Sequence, residues 1–158
     1  MTGSMRIALA ALGLLVAGCA EDPPPPFYDG VIREPLNIYV FFPSGSATLT
    51  EKSRMALSSA KSMERLFDPR ANVWACVSAH ADAEGPEALN RQLSRRRADA
   101  VAEYLIELGI PRERIVRRSF GSSQPLVANS PPGKPEPQNR YATIWFAGPG
   151  ICKPTEAN

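Results

Sequence analysis

Residues 90–101, Asn-Arg-Gln-Leu-Ser-Arg-Arg-Arg-Ala-Asp-Ala-Val, decide how the chain is read. On a helix, this stretch and the residues after it place Asn90, Leu93, Arg97, Ala100, Val101, Tyr104, Leu105 and Leu108 on one stripe, by the i, i+3, i+4, i+7 rule. That stripe faces a core. Arg97 is the anomaly: in line with Leu93 and Val101, its guanidinium has to snorkel out at the core edge or meet an anion there, an internal carboxylate being the plain choice. Arg95 and Arg96 lie off the stripe and can be solvated.

Working outward, Pro86 suits the first turn of this helix and Gly109 its stop after Leu108. Upstream, residues 73–79 (Val-Trp-Ala-Cys-Val-Ser-Ala) are a mostly apolar run bounded by polar turns, which suits a strand buried on both faces, and a polar loop follows at 80–85. Residues 36–42 (Leu-Asn-Ile-Tyr-Val-Phe-Phe) are rich in β-formers and stop at Pro43 and Gly45. Thr50 is a fitting N-cap for a helix over 51–67, whose apolar face is Met55, Leu57, Met63, Leu66 and Phe67 and which Asp68-Pro69 ends. Downstream come a short turn at 111–115, a strand at 116–120, a loop at 121–138 and a last strand at 141–146. The order βαβαββ predicts an α+β fold, an α/β sandwich with two helices on one face of a sheet.

The chain has 158 residues, 44% of them hydrophobic, enough for one core and one folded domain. A formal charge of +2 is too small to imply nucleic acid as a partner. Prolines cluster at 23–26 and 131–137, which marks a linker and a long loop. Ahead of the linker, Arg6, the apolar run 7–17 and Leu15-Val16-Ala17-Gly18-Cys19 resemble a bacterial lipoprotein signal with its lipobox; Met5 is an alternative start. That resemblance implies a signal peptide over 1–18, lipidation of Cys19 and a proline-rich tether over 19–34, about ten residues of which would span roughly 30 Å. The competing readings are an ordinary secretory signal and a transmembrane anchor, for which the apolar run is short. The folded domain then covers 35–148, with a loose tail at 149–158. Cys76 and Cys152 remain: in an oxidising compartment they form a disulfide if their strands lie close, and are free thiols otherwise.

Asn90-x-x-Leu93-Ser94-x-x-Arg97-Ala98-x-x-Val101 resembles the signature of the OmpA-like domain, a peptidoglycan-binding module. Four further stretches resemble that family in order: Tyr39-Val40-Phe41-Phe42 with residues 46–50, Ala79-His80-Ala81-Asp82-x-x-Gly85, Phe120-Gly121-x-x-x-Pro125, and Gln138-Asn139-Arg140. Together they cover residues 35–146. The resemblance implies a mixed four-stranded sheet and a ligand, the diaminopimelate head group of the peptidoglycan stem peptide. Such a zwitterion needs one fixed anion and one fixed cation a few ångströms apart, and the family's pair falls on Asp82 for the ammonium and Arg97 for the carboxylate, where a planar fork makes two charge-assisted bonds. Asn90 and Arg140 match positions that line the family's pocket, although Asn90 would equally brace the loop and Arg140 a helix C-terminus. An empty pocket is expected to hold an internal Asp82–Arg97 salt bridge.

The chain departs from the family pattern in several places. Pro43 and Gly45 stand where an acidic residue and an Asp or Asn are usual, Ala79 and Ala81 replace Gly and Thr, Tyr141 replaces an arginine, and Glu84 adds charge beside Asp82. The prolines of 130–137 oppose the helical turn that many members have there. No enzyme reading finds its residues: His80 is the only histidine, no nucleophile elbow exists, and His80 with Asp82, Glu84 and Cys76 is a weak metal set, so neither metal nor cofactor is expected. The readings carried forward are an outer-membrane lipoprotein, anchored at Cys19 and facing the periplasm, that holds peptidoglycan non-covalently, and an OmpA-like domain without ligand that docks Tol-like envelope proteins. Ala20 is not the aspartate that retains lipoproteins in the inner membrane of enteric bacteria.

Overall fold

A computed structural model describes residues 37–59, 73–128, 131, 133–148 and 151–152. Cys19, the tether and the expected continuation of the first helix, with Met63, Leu66 and Phe67, lie outside these residues. The elements run β1 (Ile38–Phe41), α1 (Glu51–Ser59), β2 (Trp74–Ala79), α2 (Glu87–Glu107), β3 (Ile115–Ser119) and β4 (Tyr141–Ala147). The sheet order is β1-β4-β2-β3, with β4 antiparallel to both its neighbours and β2 parallel to β3. Parallel neighbours need a crossover, and α2 is that crossover. The chain is therefore α+β with a mixed four-stranded sheet.

Register decides the core. Ile38 opposite Ile144, Val40 opposite Ala142 and Val77 opposite Ile144 put one apolar set on one face, where Leu57 of α1 and Ala98, Val101 and Leu105 of α2 cover it. β1 accordingly alternates, Ile38 and Val40 inward and Tyr39 and Phe41 outward, whereas β2 is buried on both sides. The second side of β2 has its own small cluster: Cys76, Val116 and Ala147 with Trp74 and Trp145, closed by Cys152. Cys76 and Cys152 are disulfide-bonded, their Cα atoms 5.7 Å apart, so Cys152 lies against the sheet.

The helix ends follow local chemistry. Thr50 Oγ1 accepts the Ser53 N–H at 3.1 Å, the expected N-cap bond. The face of α1 that meets the sheet is Ser53 and Leu57, with the Ser53 hydroxyl donating to the Phe41 carbonyl at 3.0 Å. Met55, expected on the apolar face, is instead 68% exposed, because it lies on the opposite side of the helix from the Ser53 and Leu57 row. In α2 the buried row keeps Asn90, Leu93, Arg97, Val101 and Leu105 but widens through the small residues Ser94, Ala98 and Ala102, while Ala100, Tyr104 and Leu108 are only partly buried. Pro86 sits one residue before the helix, in extended conformation. At the other end Gly109 has φ +107°, and the Ile110 and Gly109 N–H groups donate to Leu105 O and Ile106 O, a Schellman stop. Within the proline-rich loop no helix forms at the described residues 131 and 133–136, and a short 3-10 turn follows at Pro137–Asn139: Pro137 occupies its first turn, where a missing N–H costs nothing, and Glu136 caps it by accepting Gln138 N–H.

Candidate functional site

The end of β2, the N-terminal half of α2, the β1–α1 turn and the segment before β4 converge on one site. β4 lies beside β2, so the His80 N–H donates to Tyr141 O at 2.8 Å, and the chain from His80 to Asp82 continues down into the fold with every residue buried. His80 is stacked between Phe120 and Tyr141, ring centroids 5.0 and 4.2 Å away. Its Nδ1 has no hydrogen-bond partner, and burial lowers its pKa from 6.5 to about 4 against the opposing effect of the Gln124 backbone, so the ring is neutral at pH 7.

Arg97 has no exposed surface. Neither expected arrangement, reaching out at the core edge or pairing with a carboxylate, is what the side chain does. Nε donates to Ser46 O at 2.9 Å, Nη1 to His80 O at 2.7 Å and Nη2 to Pro43 O at 3.2 Å, and the guanidinium lies 5.1 Å from the centre of the Phe42 ring. Burial lowers its pKa to about 10; Asp82 raises it, and Arg140 and Arg96 lower it, which leaves it a cation at neutral pH. Three of a guanidinium's five N–H groups are thus used and two remain.

Asp82 pairs with Arg140 rather than Arg97. Its Oδ2 accepts from Arg140 Nη1 at 3.2 Å and from the Glu136 N–H at 3.3 Å, while Arg140 Nε donates to Phe42 O at 3.3 Å. The expected Asp82–Arg97 bridge is corrected for a topological reason. β4 neighbours β2, so the start of β4 delivers Arg140 to Asp82, and Arg97 is drawn instead to carbonyls at the ends of β1 and β2 that no strand satisfies. Asp82 Oδ1 takes no hydrogen bond and is not sealed from solvent. Asn90 is buried, and its Nδ2 reaches Gly85 O at 3.4 Å, the bracing contact, with Oδ1 uncommitted. Glu84 is exposed and leans to the β1–α1 turn, where it accepts from the Ser44 hydroxyl at 3.3 Å.

The contribution of the β1–α1 turn was not legible from residue types, because Pro43 and Ser46 act through their carbonyls. Ser94 and Asn139 were also missed as supports. Ser94 Oγ accepts the Gly121 N–H at 3.0 Å, and the Asn139 amide clamps Val127 by accepting its N–H and donating to its carbonyl. Among the described residues no group of three His, Cys, Asp or Glu side chains is placed to hold a metal ion, and no helix is long and apolar enough to cross a membrane.

Residues 41–140 match the OmpA family. The chain belongs to the OmpA family. Over 91 residues it is 36% identical to Outer membrane protein A of Klebsiella pneumoniae, a match covering 58% of this chain and 26% of that protein's length. Among solved structures, the OmpA-like domain of FopA1 from Francisella tularensis superposes with a TM-score of 0.60 at 25% identity, covering 78% of this chain and 77% of that one. The peptidoglycan-associated lipoprotein from Burkholderia pseudomallei superposes at 0.59 with 21% identity, covering 68% and 88%, and shares the fold. OmpA-family domains are non-enzymatic structural modules associated with peptidoglycan.

Proposed function

We propose that the OmpA-family domain of this chain holds peptidoglycan by clasping the zwitterionic head group of diaminopimelate. One observation carries the reading: a buried carboxylate with an uncommitted oxygen, on Asp82, beside a buried cation with two uncommitted N–H groups, on Arg97. The ammonium meets Asp82 Oδ1, and the carboxylate reaches the Arg97 fork once the side chains that bury it move aside, with the Asn90 amide and Arg140 at the sides. Because Arg97 is held by carbonyls and Asp82 by Arg140, both groups are oriented before ligand arrives, and the ligand need not break an Asp82–Arg97 bond. With Cys19 lipidated and seated in the outer membrane, the domain faces the periplasm and ties membrane to wall.

The test is co-sedimentation of the full chain, in mild detergent, with purified sacculi, beside Asp82→Asn and Arg97→Lys variants whose folding is checked by thermal melts. Wild type pellets and is released by free diaminopimelate, and folded Asp82→Asn loses at least tenfold in binding. Wild type remaining in solution sinks the proposal. A second reading, docking of Tol-like envelope proteins without a wall ligand, is favoured by the use of three Arg97 donors within the chain itself. The anchor is tested separately: radiolabelled palmitate enters the wild-type chain and not Cys19→Ser.

A further inference from the structure

β1 is an edge strand, paired only with β4 among the described residues. The Phe42 N–H donates to Arg140 O at 2.8 Å, and alternation along an antiparallel ladder turns the Val40 and Ile38 amides the same way, so those of Tyr39 and Phe41 point away from the sheet. Of these outward groups only the Phe41 carbonyl has a partner among the described residues, the Ser53 hydroxyl. Natural edges are usually blunted by a charge, a proline or a bulge. The strand Ile-Tyr-Val-Phe carries no charge and no proline, and its register with β4 runs without interruption.

Along this edge runs a cavity of ≈ 490 Å³ between β1, α1 and the turn before β4, walled by Tyr39, Phe41, Phe42, Ala56 and Pro137. Tyr39 and Phe41 are each 44% exposed, a large apolar surface for a strand of four residues. The rim carries Lys52 and Arg140 and no Asp or Glu. Arg140 is committed to Asp82, so exposed Lys52 sets the charge an occupant meets.

We propose that this groove docks an extended segment of a partner protein, apolar at alternate positions and bearing an acidic residue, which adds as a strand to the outer edge of β1. Its backbone bonds to Tyr39 and the Phe41 N–H, alternate side chains enter the cavity, and its carboxylate meets Lys52. A second copy of this chain fits poorly: β1 brings no carboxylate, and pairing two β1 edges sets two Lys52 ammonium groups on one groove.

The test uses the full chain and a fluorescein-labelled peptide, Thr-Val-Thr-Val-Thr-Glu-Thr, whose glutamate shares the face of its valines, followed by anisotropy, with a Glu-to-Lys peptide as its counterpart. The Glu peptide binds at least tenfold more tightly than the Lys peptide, and Lys52→Glu reverses that preference. Tyr39→Pro abolishes binding and leaves the chain folded, with a melting temperature lowered only by loss of the ring contact to Tyr141, since a proline whose missing N–H faced outward is tolerated on an edge. No saturable binding of the Glu peptide overturns the proposal, as does binding that survives Tyr39→Pro or ignores the charge at position 52. Two further outcomes overturn it by naming a different occupant: a dimer in sedimentation velocity that Tyr39→Pro dissolves, or peptide binding that appears only when residues 20–36 are deleted.

Discussion

Arg97 holds a full positive charge with no exposed surface, and three backbone carbonyls from two loops are what make that arrangement stable. Arg97→Met leaves the Ser46 and His80 carbonyls without their donor, at about 1–3 kcal/mol each, while Pro43 O keeps the Ser46 N–H. The expected loss is at least about 2 kcal/mol in urea titrations, and Arg97→Lys recovers only part of it because a point ammonium cannot span three divergent acceptors. His80 provides a pH-dependent term of known sign. Its folded pKa of about 4 lies below the ordinary 6.5, so the unfolded chain binds the proton more readily. The stabilisation is present above pH 6.5 and is lost as pH falls from there towards 4, by about 3 kcal/mol in all. The measurement is the difference in pH slope between wild type and His80→Gln; equal slopes would contradict it. At this scale the identity of the important residues was legible in the sequence, since Arg97 interrupts an apolar row. Their partners were not, because a carbonyl oxygen has no residue type.

At the scale of elements, turns fix where α2 begins and ends against the sheet. Gly109 ends it at φ +107°, and Gly121, at φ +55°, brings the chain back past the N-terminal part of α2. A Cβ on Gly121 would run into the Glu87 carboxylate, which is itself engaged by the Ser122 hydroxyl and by Arg91. Gly109→Ala is expected to cost about 1 kcal/mol and Gly121→Ala more, since strain and crowding add there, as read from denaturation midpoints. An unchanged midpoint for Gly121→Ala would show that the loop after β3 does not depend on this close approach. Element types and their order were legible throughout, because periods of 2 and 3.6 and the Pro and Gly stops are local. Met55 was misplaced for an equally physical reason: an apolar residue on a short, polar helix was assigned inward although Ser53, a polar residue, faces β1.

For the whole molecule, the disulfide joins residues separated by 76 positions and seals the small cluster on the side of the sheet away from the helices. A loop of that length makes the bond worth about 2–4 kcal/mol. Reduction with dithiothreitol is expected to lower the melting temperature of wild type and to leave that of Cys152→Ser unmoved, the variant starting near the reduced value. The amino-acid sequence by itself determined the α+β class, the element order, the buried row of α2 and the residues at the site, because each is a pattern in side chains near one another in the chain. Only the tertiary structure decided that Asp82 pairs with Arg140, that Arg97 rests on carbonyls and that Cys152 meets Cys76. Each of these depends on which strands lie side by side, and that is settled by burial over the whole sheet rather than by any local run of residues.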